Sequence, residues 1–175
     1  MKKSWETNPN FNTKKIISSQ HVLGDVRYGL FGNASKNACG VVSIHNLKSV
    51  LGLETNFVLD YKRASRFGTN LSFGIFGTNP FYVNHKIKQL VKNKKMYVLP
   101  KLNDLKHIFA HHDIIILAYA WGGKMDLHYA TFKKNTDHSI QGFNSSRQGH
   151  YHNVNKLITS EPIKRLYFAW GINSH

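Results

Sequence analysis

Between Asp113 and Trp121 the chain runs Ile114-Ile115-Ile116-Leu117-Ala118-Tyr119-Ala120 without a charge. A short apolar run that opens on β-branched residues predicts a strand. With no polar alternation, that strand is expected to be buried on both faces. More strands are expected around it. Met96 to Leu99 is a short one, ended by Pro100. Gly122-Gly123 breaks the central strand. His128 to Lys133 and Ser139 to Asn144 form a hairpin about a turn at Lys134 to His138. Ser145 to Gly149 is a loop, and Arg165 to Ile172 closes the sheet.

The first half of the chain has helical periodicity. In Asn37-Ala38-Cys39-Gly40-Val41-Val42-Ser43-Ile44-His45-Asn46-Leu47, apolar residues lie on nearly every side. That predicts a buried helix, with Asn37 as N-cap and Gly52 as stop. Thr55 to Arg66 suggests a shorter helix. Gly68 to Gly77 is a strand or a packed loop. Asn79-Pro80 starts a helix whose Val83, Ile87, Leu90 and Val91 share one face. Asn103 caps another, with Leu105, Ile108 and Phe109 inward. Val22 to Phe31 reads as irregular backbone, and residues 1–20 as a loosely docked arm. Helices first and an antiparallel sheet second give an α+β fold.

A length of 175 residues, 41% apolar, suits one domain with a core and excludes a disordered tail. The lone cysteine rules out an internal disulfide and suits a reducing compartment or a chemical role. No apolar stretch of membrane-spanning length occurs, so no span is expected. The basic N-terminus lacks the apolar run of a signal peptide, which makes the cytoplasm the default location and leaves signal-independent export open. The 24 Lys and Arg against 9 Asp and Glu give a net charge of +15. Nucleic acid or an anionic surface as partner, an acidic substrate, and an AT-rich coding bias all account for it. No base-reading motif accompanies the charge, so nucleic acid is not favoured.

Cys39 falls in the first turn of its helix, where free amides and the dipole favour a thiolate. It is either a nucleophile or a small buried hydrophobe. A nucleophile needs a base and a group to orient that base. Of the 11 histidines, His128 stands out because it opens an apolar strand. His45 is expected on another face of the Cys39 helix as a core or rim residue. Asn144, opposite His128 across the hairpin, can accept the imidazole N–H. The rival use of these residues is a metal: His107, His111 and His112 have zinc-like spacing, but no Cys-x-x-Cys or His-Glu-x-x-His accompanies them. No cofactor motif is present.

Cys39, His128 and Asn144 in this order resemble the papain-like cysteine peptidases, especially the bacterial branch of bacteriocin-leader-processing peptidases. The residues that carry the resemblance are Asn37-Ala38-Cys39-Gly40 opening a buried helix, the helix-then-strand stretch Leu102 to Tyr119, His128-Tyr129 opening the next strand, and the 16-residue step to Asn144. The resemblance implies a papain-like fold, with a nucleophile helix packed on a C-terminal antiparallel sheet. It also implies a Cys39–His128–Asn144 triad that cleaves a peptide or isopeptide bond, or runs acyl transfer, transpeptidation or deamidation. The family's oxyanion glutamine lies six residues before the cysteine, where this chain has Asn33, one methylene shorter; Gln20 is a distant stand-in. Ser145-Ser146 stands where the wider family often has a tryptophan. The implied partner is a peptide or protein substrate, acidic if the surface charge is a guide. The other class of reading is a basic binding module with an incidental thiol.

Overall fold

In a computed structural model of the chain, the structure describes residues 11–65, 77–121, 127–145 and 149–173. Residues 1–10, Gly68 to Phe76, and the Gly122-Gly123 break lie outside them.

The core is a six-stranded antiparallel sheet. β3 (Lys94–Val98), β4 (Ile114–Ala120), β5 (His128–Lys134), β6 (Ile140–Phe143), β7 (His150–Tyr151) and β8 (Arg165–Ile172) stand in the order β3-β8-β4-β5-β6-β7. β4 to β7 are successive hairpins. β8 returns last and fills the slot between β3 and β4, closing the sheet as expected. All seven residues of β4 are buried, which the two flanking helical layers explain. On one face α2 (Cys39–Val50) and α4 (Pro80–Leu90) set Ile44, Leu47, Val83 and Ile87 against Ile114, Ile116, Ala118, Tyr129 and Trp170. On the other, α5 (Asp104–His111) and α6 (Val154–Ser160) set Leu105, Ile108, Phe109 and Leu157 against Ile115, Leu117, Tyr119, Ala130 and Phe132. Residues alternate between these faces along β4 and β5, as a pleated strand requires.

α2 is the buried helix its sequence requires: the nine residues from Cys39 to Leu47 are all buried. It begins differently from expectation. Asn37 is not its cap; Asn37 ends the short α1 (Ala34–Asn37), and its side-chain oxygen accepts from the Asn33 amide at 2.9 Å. α1 runs straight into α2 through Ala38, which makes no side-chain cap bond. A third cluster, with Leu23, Tyr28, Val41, Phe57 and Tyr61, packs α2 on α3 (Phe57–Ala64) and on the hairpin of β1 (Arg27–Tyr28) and β2 (Gly32–Asn33).

Residues 11–19 are docked, where the sequence suggested a loose arm. Ile17 is buried, and its peptide group is bonded at both ends by the Asn46 side chain, at 2.8 and 2.9 Å. Lys15 gives its carbonyl to His45 Nε2 at 2.8 Å. This strap explains two of the buried polar residues of α2, His45 and Asn46: they satisfy chain that has no ladder of its own. α6 and β7 were not expected; both fall in the polar stretch after Gly149.

Two register details place the site. The β5–β6 ladder pairs Thr131 with Phe143 and Lys134 with Ile140, so residue 128 does not face residue 144 as expected. The turn places His138 at φ 65° and bonds the Asn135 amide to the Ser139 carbonyl at 2.8 Å, so the ladder starts further along the chain. β6 ends at Phe143, and among the described residues no strand pairs with the edge of β5 at residues 127–129 on that side.

Candidate active site

Cys39 occupies that uncovered edge. Its thiol donates to the Leu127 carbonyl at 3.5 Å, and the Tyr129 amide donates to its sulfur. The sulfur therefore lies against the backbone on either side of His128. The expected effect of the helix terminus is present: the Cys39 and Gly40 amides also favour the thiolate. Burial outweighs all three amides, since Cys39 is 1% exposed, and pushes the thiol up to about 11. In this state the thiol is neutral, contrary to the activated thiolate expected from its helix position.

His128 shares the β5 face of Ala130 and Phe132, with its ring edge-on to Tyr119, centroids 5.3 Å apart, and stacked on Trp121 at 4.8 Å and 7°. Nε2 lies 2.6 Å from the Asn144 main-chain carbonyl. A carbonyl only accepts, so Nε2 carries the hydrogen and Nδ1 is the basic nitrogen of the neutral ring. Burial lowers the imidazole's affinity for a proton most; the Asn144 carbonyl and Glu161 raise it, and His21 lowers it further. The thiol bonds the Leu127 carbonyl and not the imidazole.

Asn144 touches His128 through its backbone, where the sequence pointed to its side chain. Its φ of 58° is left-handed, a conformation asparagine tolerates better than most residues, and its carbonyl meets the ring. The side chain is used elsewhere. Oδ1 accepts from the Gln20 amide at 2.9 Å, and Nδ2 donates to Gln20 Oε1 and to the Tyr129 carbonyl, each at 3.1 Å. The Asn144 N–H reaches Ser18 at 2.9 Å. Asn144 thus ties the strap, the 3-10 turn Gln20–Leu23 and the end of β5 together.

Asn33 caps α1, and its Nδ2 donates to Asp25 Oδ1 at 2.7 Å. Gln20 Nε2 is bonded to the Ser35 and Lys36 carbonyls at 3.0 and 3.1 Å. Both amides are therefore engaged in this state, with Gln20 fastening α1, the helix before Cys39, to Asn144. Of the zinc-like histidines, His107 and His111 bring their ring centroids to 4.2 Å, but His112 does not join them. His111 Nδ1 bonds its own helix at His107 O, and His112 turns to Tyr97 and Asn173. Among the described residues, no group of three or more His, Cys, Asp and Glu is placed to hold a metal. A cleft of about 1060 Å³ runs between the strap and β6, with Lys14, Lys15, Ser18 and Phe143 on its walls; Cys39 and His128 do not line it. No helix among the described residues is long and apolar enough to cross a membrane.

Glu161, buried behind Tyr119, was not singled out from the sequence. Its only signal is its position before Pro162, which reads as a helix end and not as chemistry.

No family model and no curated protein matches this sequence. Among solved structures, the chain is similar to the peptidase domain of Streptococcus ComA, a bifunctional ABC transporter involved in a quorum-sensing pathway. The TM-score is 0.51 at 12% identity, covering 82% of this chain and 96% of that one. The α+β fold expected from the papain-like resemblance is the fold found: a helix opened by the cysteine, packed on an antiparallel sheet.

Proposed function

We propose that the protein is a thiol-dependent hydrolase that cleaves a peptide or isopeptide bond, with Cys39 as nucleophile, His128 as base and acid, and Asn144 orienting His128. The observation that carries this reading is the meeting of the Cys39 thiol with the chain on either side of His128, at the tip of the central helix. The peptidase-domain fold supports it.

Catalysis starts from a neutral pair. An arriving substrate takes the thiol from the Leu127 carbonyl. As sulfur attacks the carbonyl carbon, the thiol proton passes to His128 Nδ1. His128 returns that proton to the leaving amine as the C–N bond breaks, leaving a thioester. A water, deprotonated by the same nitrogen, attacks the thioester and restores the thiol. The Asn144 carbonyl fixes the tautomer throughout. The oxyanion is held by the Cys39 amide and by Asn33 once its amide leaves Asp25. A nucleophile other than water at the last step gives transfer in place of hydrolysis. Lys14 and Lys15 on the neighbouring cleft and the net charge of +15 favour a substrate of acidic character.

The test is a screen of fluorogenic and mass-encoded peptides with the parent and the Cys39→Ala and His128→Ala variants. Each variant is expected to lose roughly a thousandfold or more in kcat/KM while keeping its circular dichroism spectrum. Hydrolysis that persists in Cys39→Ala removes the reading.

One observation favours a second reading, a basic binding module of this fold with a structural thiol: the sulfur is sealed and its pKa is raised. Iodoacetamide separates the two. For the peptidase, labelling of Cys39 at pH 7 depends on His128 and slows about tenfold or more in His128→Ala. For a structural thiol, labelling ignores His128 and rises only toward pH 11. Steeply salt-dependent DNA or RNA binding would accompany the second outcome.

A further inference from the structure

Asn144 is uncharged, so the orienting member of the site brings no negative charge to His128. A buried carboxylate stands nearby on the same face of the sheet. Glu161 follows α6 and is 4% exposed. Tyr119 donates to its Oε2 at 3.1 Å, and the Tyr151 hydroxyl lies against its Oε1. Each oxygen of this carboxyl group thus accepts from a phenol. Tyr119 stands opposite His128 in the β4–β5 register, and its ring meets the imidazole edge to face. Carboxylate, phenol and imidazole thus line up behind the site, on the face away from α2.

We propose that Glu161 is the positioning residue that supplies, from behind the Tyr119 ring, the negative charge against which His128 becomes a cation during turnover. The inference rests on the catalytic reading above for its purpose, but not for its measurement. When His128 takes the thiol proton, a positive charge appears on a ring that is 7% exposed. Burial of that charge is unfavourable without a counter-charge. The charged and titratable groups around the ring are Glu161 and Tyr119 from the α6 side, His21 from the 3-10 turn, and Cys39 at the strand edge. Of these, Glu161 favours the cation and His21 opposes it. Trp121, stacked on the ring, adds a π face.

The experiment is an NMR titration of the His128 ring in the full chain, for the parent, Glu161→Gln and Tyr119→Phe. Glu161→Gln keeps the shape and removes the charge. The ratio of charged to neutral imidazole at pH 6.5 is expected to fall about threefold or more. Tyr119→Phe removes a hydrogen bond but leaves the carboxylate, and is expected to hold the ratio near the parent's. Superposed curves for the parent and Glu161→Gln overturn the proposal, as does an equal fall in Tyr119→Phe. If Glu161→Gln does not fold, the Glu161 carboxyl carbon of the parent decides: a second inflection at the His128 midpoint is expected, and its absence overturns the proposal. Hydrolysis that survives Cys39→Ala removes the peptidase reading and leaves this titration unchanged, so the two failures are distinguishable.

Discussion

At Asn144 one residue makes five hydrogen bonds, two through its backbone and three through its side chain. An aspartate there would turn an oxygen toward two acceptors, Gln20 Oε1 and the Tyr129 carbonyl, and keep only the bond from the Gln20 amide. Gln20 cannot reverse its amide without breaking its bonds to Ser35 and Lys36. Asn144→Asp should therefore cost roughly 2–4 kcal/mol at pH 7. The two acceptors raise the folded-state pKa of that carboxyl above its unfolded value. Its penalty is then smallest below the unfolded pKa, near 4, and grows as pH rises through the folded one. Urea midpoints of the variant and the parent at pH 4 and 7 measure this; an equal gap at both rules it out. The spacing from His128 was enough to find Asn144 in the sequence. It was not enough to show that the carbonyl makes the contact, because that depends on a left-handed φ that no single letter reveals. Glu161 was invisible for a related reason: an exposed and a buried glutamate look alike until the fold places two phenols on one of them.

Among the elements, α2 was legible because apolar residues on every side leave a helix one place to go. Its start was not, since α1 takes over the capping that Asn37 seemed to offer. The hairpin was legible, but its register was not, because the turn could be entered at more than one residue. The strap's docking was hidden because it uses His45 and Asn46, polar residues on a buried helix, to satisfy backbone groups. One close approach explains a small residue beside the cysteine. A Cβ at Gly40 would lie 2.5 Å from Thr78 Cβ. Thr78 cannot retreat freely, because its hydroxyl is bonded to Tyr28 at 2.7 Å and its carbonyl to Tyr129 at 3.1 Å. Gly40→Ala should destabilise the protein by about 1–3 kcal/mol, read as a lower urea midpoint with unchanged m-value.

At the scale of the whole molecule, burial lowers the pKa of three histidines among the described residues, His45, His112 and His128. Their folded pKa values lie below the unfolded value near 6.5. From that pH downward the unfolded chain takes up protons that the folded one refuses, so stability should fall as pH drops below about 6.5. His45→Gln keeps a donor for the Lys15 carbonyl and removes one titrating group. Its stability should decline less between pH 7 and 5.5 than the parent's, and parallel declines would exclude His45 as a cause. The fold class was readable in advance because the uncharged run at β4 demands cover on both sides, and the helical periodicities before it supply that cover.

The early stop of β6 has one more consequence. Had the seam between the two strands been stitched one or two rungs further, the peptide groups that now receive the sulfur would have been consumed by the neighbouring chain. Lengthening that hairpin, by loop redesign beyond Phe143, would trade reactivity for regularity: a sturdier sheet with no berth for the thiol.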